Sequence, residues 1–189
     1  MNVDKMVKGF VERRARKEGI EERPMIMFIK ALNKPELVGA EIGVLEGIHA
    51  YSIFNLLSIK KLYLIDPYAV YPEYLDITTP FGYFAEQRAD ARLEPFIDKI
   101  VKIKKFSADA VEDVPDELDF VYIDGNHSYE YVLEDIENYL PKVKKGGVVG
   151  GHDYYNKGPA REVKKAVDEF VQENNLKLYY KDIDWWIVK

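Results

Sequence analysis

Residues 118–151 read LDFVYIDGNHSYEYVLEDIENYLPKVKKGGVVGG. Leu118 to Asp124 is a continuous, β-rich apolar run ending on an acid and a glycine, as expected of a strand covered on both faces. The spacing then changes. Val132, Ile136, Tyr139, Leu140 and Val143 recur at helical intervals, which predicts a helix over Ser128 to Val143 with one face in the core. Gly146-Gly147 is expected to cap that helix, and Val148 to Gly151 to form the next strand. A strand, a helix and a strand in succession make a crossover unit, whose strands run parallel.

The same alternation extends in both directions. Upstream, Leu37 to Gly43 reads as a buried strand, Ile48 to Ser58 as a helix, and Leu62 to Asp66 as a short strand. Residues 81–94 then look helical and Ile100 to Lys104 is another strand. Downstream, a helix from Pro159 carries Val163, Ala166, Val167, Phe170 and Val171 on one face. The last two strands, Leu176 to Tyr180 and Ile183 to Val188, are too close for a crossover helix and must pair antiparallel. The expected fold is α/β: a Rossmann-like, seven-stranded, mostly parallel sheet with an antiparallel C-terminal hairpin and helices on both faces. Before it lie two N-terminal helices. One is predicted over residues 3–17, with Val3, Met6, Val7, Phe10 and Val11 on its apolar face; the other runs from Pro24 to before Pro35, with Asn33 near its end. The run Met25 to Ile29 is apolar on every side, so it is buried or meets a partner subunit, and a homodimer through these helices follows from the second choice. The chain therefore divides into a helical extension, residues 1–36, and a ligand-binding domain, residues 37–189.

Composition narrows the setting. The chain has 189 residues, 47% hydrophobic and 32% charged, enough for one domain with its own core. No apolar run approaches the ~20 residues that span a bilayer, and the N-terminus lacks a signal-peptide core, so a cytoplasmic location without membrane attachment is expected. The absence of cysteine excludes disulfides, thiolate metal sites and thiol nucleophiles. A net charge of −6 argues against nucleic acid as a partner. The one basic stretch, Lys5, Lys8, Arg13, Arg14, Arg16 and Lys17, is interleaved with Asp4, Glu12 and Glu18 and reads as a solvated helix face.

In a sheet of this kind ligands bind beyond the carboxyl ends of the strands, so the chemistry is sought there. The first strand ends in Glu41-Ile42-Gly43-Val44-Leu45-Glu46-Gly47. Gly43 and Gly47 permit a tight turn and close approach of backbone to ligand. Their spacing differs from the Gly-x-Gly-x-x-Gly that cradles a pyrophosphate, and Glu41 would repel phosphate while suiting a cationic amine. S-adenosylmethionine has that amine and no phosphate. Asp66, about twenty residues on, is placed to accept ribose hydroxyls. Ser107, Ala108 and Asp109 follow the third strand and could border an adenine. Asp124-Gly125-Asn126-His127 and His152-Asp153-Tyr154 follow the fourth and fifth. The chain has three histidines, His49, His127 and His152, and all fall at this edge, where imidazole suits proton transfer near neutral pH.

Three strings, Glu41 to Gly47, Val121 to Tyr129 and Gly146 to Tyr154, resemble class I S-adenosylmethionine-dependent methyltransferases, closest to the small-molecule O-methyltransferase branch of macrocin and caffeoyl-coenzyme A type. Val163 to Phe170 also looks like that branch, and the likeness covers about residues 37–189. The resemblance implies S-adenosylmethionine held by Glu41, Gly43, Glu46, Gly47, Asp66, Ser107, Ala108 and Asp124. It also implies a small-molecule acceptor, with His127 as its base and Asp124 in the catalytic centre. In the group an acid after the fourth strand and a pair after the fifth often hold a divalent metal, which would be Asp124, His152 and Asp153 here. His152 stands where an acid is usual, and imidazole suits zinc, iron or manganese better than magnesium.

Two other functions share the architecture. A nicotinamide-dependent oxidoreductase wants the tighter glycine pattern, which is absent. A non-catalytic cofactor-binding or assembly protein would draw on the apolar Met25 to Leu32 helix. The long segment Tyr68 to Tyr83, with Tyr68, Tyr71, Tyr74, Phe81, Tyr83, Pro72 and Pro80, is either an acceptor lid or a packing loop.

Overall fold

The structure is a computed structural model and describes residues 19–69, 84–158 and 160–189. The helix expected over residues 3–17, its basic face, and most of the aromatic segment lie outside the described residues.

The elements, in chain order, begin with α1 (Pro24–Ala31), β1 (Leu37–Ile42), α2 (Ile48–Leu56), β2 (Ile59–Ile65) and α3 (Ala85–Leu93). A 3-10 turn (Glu94–Lys99) leads to β3 (Ile100–Ile103) and the short α4 (Ser107–Ala110). There follow β4 (Leu118–Ile123), α5 (Tyr129–Tyr139), β5 (Val143–Gly151), α6 (Ala160–Glu173), β6 (Leu178–Lys181) and β7 (Asp184–Val188). Seven strands form one sheet in the order β3-β2-β1-β4-β5-β7-β6. β1 to β5 run parallel, and β7 pairs antiparallel with both β5 and β6. This is the Rossmann-like methyltransferase fold, with the expected hairpin at one edge.

Alternation along the strands feeds two cores. From β4, Val121 and Ile123 point to one face and pack with Val132 and Ile136 of α5 and Val163, Val167 and Phe170 of α6. Phe120 and Tyr122 point to the other, against Met25, Ile26 and Ile29 of α1 and Ile53 and Phe54 of α2. The apolar α1 run thus lies in the chain's own core: Met25 and Ile26 are fully buried. At roughly 1.5–3 kcal/mol per fully buried large apolar side chain, α1 is an integral part of the domain and not a detachable arm.

The junction of α5 and β5 moves by four to five residues. α5 stops at Tyr139, not Val143, and β5 starts at Val143, not Val148. Pro141 is the cause, since it cannot continue the helix ladder and disfavours helical backbone before it. Gly146-Gly147 are therefore no helix cap. They lie inside β5, where the pairing with β4 slips between Leu118↔Val143 and Phe120↔Val148. A β-carbon on Gly147 would sit 2.8 Å from the Asp119 carbonyl oxygen, so the irregular strand passes too close to β4 for a side chain. β2 also starts three residues early, at Ile59, because exposed Lys60 interrupts its apolar pattern. The topology places the ends of β1, β2, β4 and β5 along one edge, and the charged groups gather there.

Candidate active site at the carboxyl edge of the sheet

β1 carries Glu41 into the interior, where it is 1% exposed. Its Oε1 lies 3.0 Å from Nδ1 of His49, the second residue of α2. Oε2 is buried and has no partner among the described residues. Burial pushes the Glu41 carboxyl up, opposed by the hydrogen bond and charge of His49. After β1 the chain turns through Gly43, with φ +83°; a β-carbon there would lie 2.0 Å from the Asp124 carbonyl oxygen. β1 and β4 therefore end in backbone-to-backbone contact, and only glycine permits it.

Asp66 ends β2 facing this loop. Its Oδ2 accepts the backbone N–H groups of Val44 and Leu45 at 2.9 and 2.8 Å, and its Oδ1 accepts that of Tyr68 at 2.8 Å. Both oxygens hold the loop, so any ribose contact would draw on their remaining lone pairs. Glu41 and Asp66 nevertheless share surroundings: burial drives the Tyr68 phenol well above its ordinary range, and the charges of Asp66 and Glu41 both add to the shift. Glu46 looks inward, its Oε1 2.6 Å from Arg88 Nη2, while Arg92 donates to its backbone carbonyl. That is a structural tie between the loop and α3. Gly47 precedes α2 with φ +70°. Ser107 opens α4, its carbonyl accepting the Tyr139 hydroxyl at 2.7 Å, and Ala108 and Asp109 beside it are exposed.

Beyond β4 and β5 the groups converge. His127 Nε2 lies 3.0 Å from Asp153 Oδ2 and 3.7 Å from Asp124 Oδ1. Asp124, His127 and Asp153 each offer one ligand atom, all within 4.8 Å of one another. Asp153 sits at φ +61°, the left-handed region an aspartate tolerates, and its carboxylate meets His127. His152 turns away, its Nδ1 lying 2.8 Å from Asp184 Oδ1. The trio brought together therefore contains His127 where the sequence pointed to His152.

The second oxygen of Asp124 belongs to Arg23. Arg23 Nη1 donates to Asp124 Oδ2 and to the Tyr122 hydroxyl, both at 3.0 Å, and Nε donates to Glu21 at 3.1 Å. Burial alone would raise the Asp124 carboxyl, but the His127 hydrogen bond and the Arg23 charge outweigh it and hold the acid below its usual range. Tyr122 passes the network on to Asp184 at 3.0 Å, and Asp184, fully buried, also accepts the Met25 backbone N–H at 3.1 Å. Arg23, Tyr122 and Asp184 escaped the sequence reading. The available signals were the lone acid opening the apolar strand Asp184-Trp185-Trp186-Ile187 and the arginine just before Pro24.

A pocket behind this cluster is lined by Ile123, Gly125, Asn126, Val132, Val163 and Trp185, with Asp124, His127 and His152 at its side. The arrangement can hold a cation between Asp124, His127 and Asp153, or take a proton at an imidazole that carboxylates steady.

The family model for a methyltransferase domain matches residues 40–154, more than half of the chain and all of this edge. The chain belongs to that family. It is 26% identical over 145 residues to uncharacterized protein R132 of Acanthamoeba polyphaga mimivirus. It covers 62% of that relative's length, and the match takes in 74% of this chain. Among solved structures, an O-methyltransferase from Bacillus cereus in complex with SAH matches with a TM-score of 0.64 at 14% identity, over 100% of this chain and 92% of that one. A precorrin 8w decarboxylase from Methanobacterium thermoautotrophicum matches at 0.61 and 14%, covering 90% and 91%. An rRNA methylase from Streptococcus thermophilus matches at 0.58 and 17%, covering 89% and 96%. Three such different names on one scaffold mean that the likeness carries the fold and leaves the acceptor to the site.

Proposed function

We propose that this chain is an S-adenosylmethionine-dependent methyltransferase that methylates a hydroxyl of a small-molecule acceptor, with His127 as the base. The observation that carries the reading is the pairing, on adjacent strand ends, of a buried and partnerless Glu41 Oε2 with the Asp124–His127–Asp153 cluster. Glu41 Oε2 fits the cofactor's ammonium, a cationic donor that would relieve a buried carboxylate oxygen without a partner. The Gly43 turn lets the ends of β1 and β4 close on each other, since a side chain there would run into the Asp124 backbone. Asp66, Ser107 and Ala108 would border the nucleoside, Asp66 through lone pairs not taken by the loop. Gly47, and Glu46 through Arg88, would hold the loop in shape.

When bound, the cofactor supplies the methyl group and its sulfonium leaving group. The chain's task is alignment of acceptor oxygen and methyl carbon, and removal of the hydroxyl proton. Asp153 at 3.0 Å orients the His127 imidazole and steadies the charge it gains, the role of the third group in a nucleophile–base–acid arrangement. The acceptor oxygen bonds to carbon as the carbon–sulfur bond breaks, and its proton passes to His127. A second reading is favoured by the same three ligand atoms: Asp124, His127 and Asp153 would hold a divalent cation, which supplies positive charge that lowers the proton affinity of the acceptor oxygen. The homodimer has less support, because α1 already buries its apolar residues within the chain.

Calorimetry with S-adenosylhomocysteine and with NAD tests the cofactor; binding of NAD alone would make the chain an oxidoreductase. With methyl transfer followed on a panel of hydroxylated small molecules, His127→Ala is expected to slow turnover by roughly 10²–10⁴-fold with little change in cofactor affinity. Unchanged turnover removes His127 from the chemistry, and turnover lost to a chelator and restored by manganese favours the metal reading. Cofactor binding without transfer to any acceptor, metal added or not, points to the non-catalytic alternative.

A further inference from the structure

His49 sits at the second position of α2, 5% exposed, directly over the end of β1. Its Nδ1 takes Glu41 Oε1 at 3.0 Å, and its ring packs tilted against that of Tyr122, with centroids 4.0 Å apart. The Tyr122 hydroxyl is itself fixed between Arg23 and Asp184. The imidazole is therefore pinned by a ring on one side and a carboxylate on the other, and it leaves that carboxylate one way to lie.

A histidine–glutamate pair that served only the fold would be expected to satisfy its polar atoms, because a buried polar group without a partner is costly. This pair does not. After the Nδ1–Oε1 bond, Glu41 Oε2 and His49 Nε2 both remain buried and without partners among the described residues. Arg23 and Asp124 act on Glu41 through their charge, and no hydrogen bond joins either of them to it among the described residues. An acid held by one oxygen, with the other kept dry and unpaired beside a glycine turn, is preorganised for a cation that arrives later.

We propose that His49 is a positioning residue for the amino-acid end of the cofactor: it occupies Glu41 Oε1 so that Oε2 alone meets the cofactor's ammonium. This rests on the S-adenosylmethionine reading above and adds the residue that sets the geometry of its grip. His49 touches the carboxylate and not the reacting atoms, so its loss should weaken binding at the amino-acid end and leave the nucleoside end unaffected.

The test compares two ligands by calorimetry on the full chain. S-adenosylhomocysteine carries the ammonium, whereas 5′-methylthioadenosine keeps the nucleoside and thioether but lacks the amino-acid end. Wild-type protein should prefer the first by about tenfold or more, the scale of a charge-assisted hydrogen bond. His49→Leu should lose about tenfold in affinity for S-adenosylhomocysteine and less than about twofold for 5′-methylthioadenosine. Glu41→Gln should show the same selective loss. His49→Asn, which returns an N–H donor near the place of Nδ1, should recover most of the preference, and this conservative variant serves if His49→Leu folds poorly. Equal losses for both ligands, or no loss for either, overturn the proposal while leaving the cofactor assignment standing. A wild-type protein that binds neither ligand overturns both.

Discussion

Asp135 faces the core from α5 at 2% exposure, with Oδ1 buried and without a partner. Burial is the main cause that pushes its carboxyl up to about 7, against a lowering hydrogen bond with Ser107. In the unfolded chain an aspartate titrates near 3.9. Between these values the folded protein keeps a proton that the unfolded chain releases, so stability falls as pH rises through the window. About three units at about 1.4 kcal/mol each give a loss of about 4 kcal/mol between pH 4 and pH 7 from this group alone. Asp135→Asn removes the titration and keeps a side chain able to bond Ser107. Urea denaturation of both proteins at pH 4.5 and pH 8 isolates the effect, since every other titrating group is common to the two. The stability difference should shift in favour of the variant by up to about 4 kcal/mol on going from the lower to the higher pH, or roughly 10 °C in Tm. A difference that stays constant with pH would refute the reasoning, because it would mean that Asp135 is ionised throughout and stabilised by partners the structure does not give it.

Other substitutions test the frame of the site. Gly43→Ala would put its β-carbon 2.0 Å from the Asp124 carbonyl oxygen at a left-handed φ, so a loss of roughly 3 kcal/mol or more is expected in denaturation, together with loss of S-adenosylhomocysteine binding. Arg23→Gln leaves Asp124 without its guanidinium; a destabilisation of roughly 2 kcal/mol is expected by urea titration, reduced from the fully buried case because both side chains keep about a fifth of their surface. Asp66→Ala strips acceptors from the Val44, Leu45 and Tyr68 N–H groups and should cost about 1–3 kcal/mol, whereas Asp66→Asn, which retains an oxygen, should keep more of that stability.

Legibility in the sequence followed the range over which each feature is determined. β4 could be read because burial on both faces writes a continuous apolar run, and α6 because one buried face repeats Val163, Ala166, Val167 and Phe170. The start of β5 could not, because Lys144 and Lys145 look like loop. Lys144 is in the strand through its ion pair with Asp119 at 2.6 Å, a partner 25 positions away. The candidate site divides in the same way. Glu41, Asp124, His127 and Asp153 could be assigned to one edge because topology alone puts strand ends together. Arg23 reaches Asp124 across 101 positions and Tyr122 reaches Asp184 across 62, and no local pattern announces either contact.

Carboxylates crowded on one sheet edge would repel one another strongly in a poorly solvated setting, and four of them are matched by a cation or an imidazole. Glu41 has His49, Asp153 has His127, Asp184 has His152, and Asp124 has Arg23. All three histidines of the chain are used in this way. Their exposures then separate their roles. The carboxylate partners of His49 and His152 are 1% and 0% exposed, so each of these imidazoles is committed to an acid inside the core. His127 and Asp153 keep 25% and 18%, and His127 borders the pocket. Proton exchange needs an imidazole that a ligand can touch and a carboxylate that can steady the product, and of the three pairs that one meets both conditions. His127 is thus proposed as the base as much for what the other two histidines already hold as for its own position.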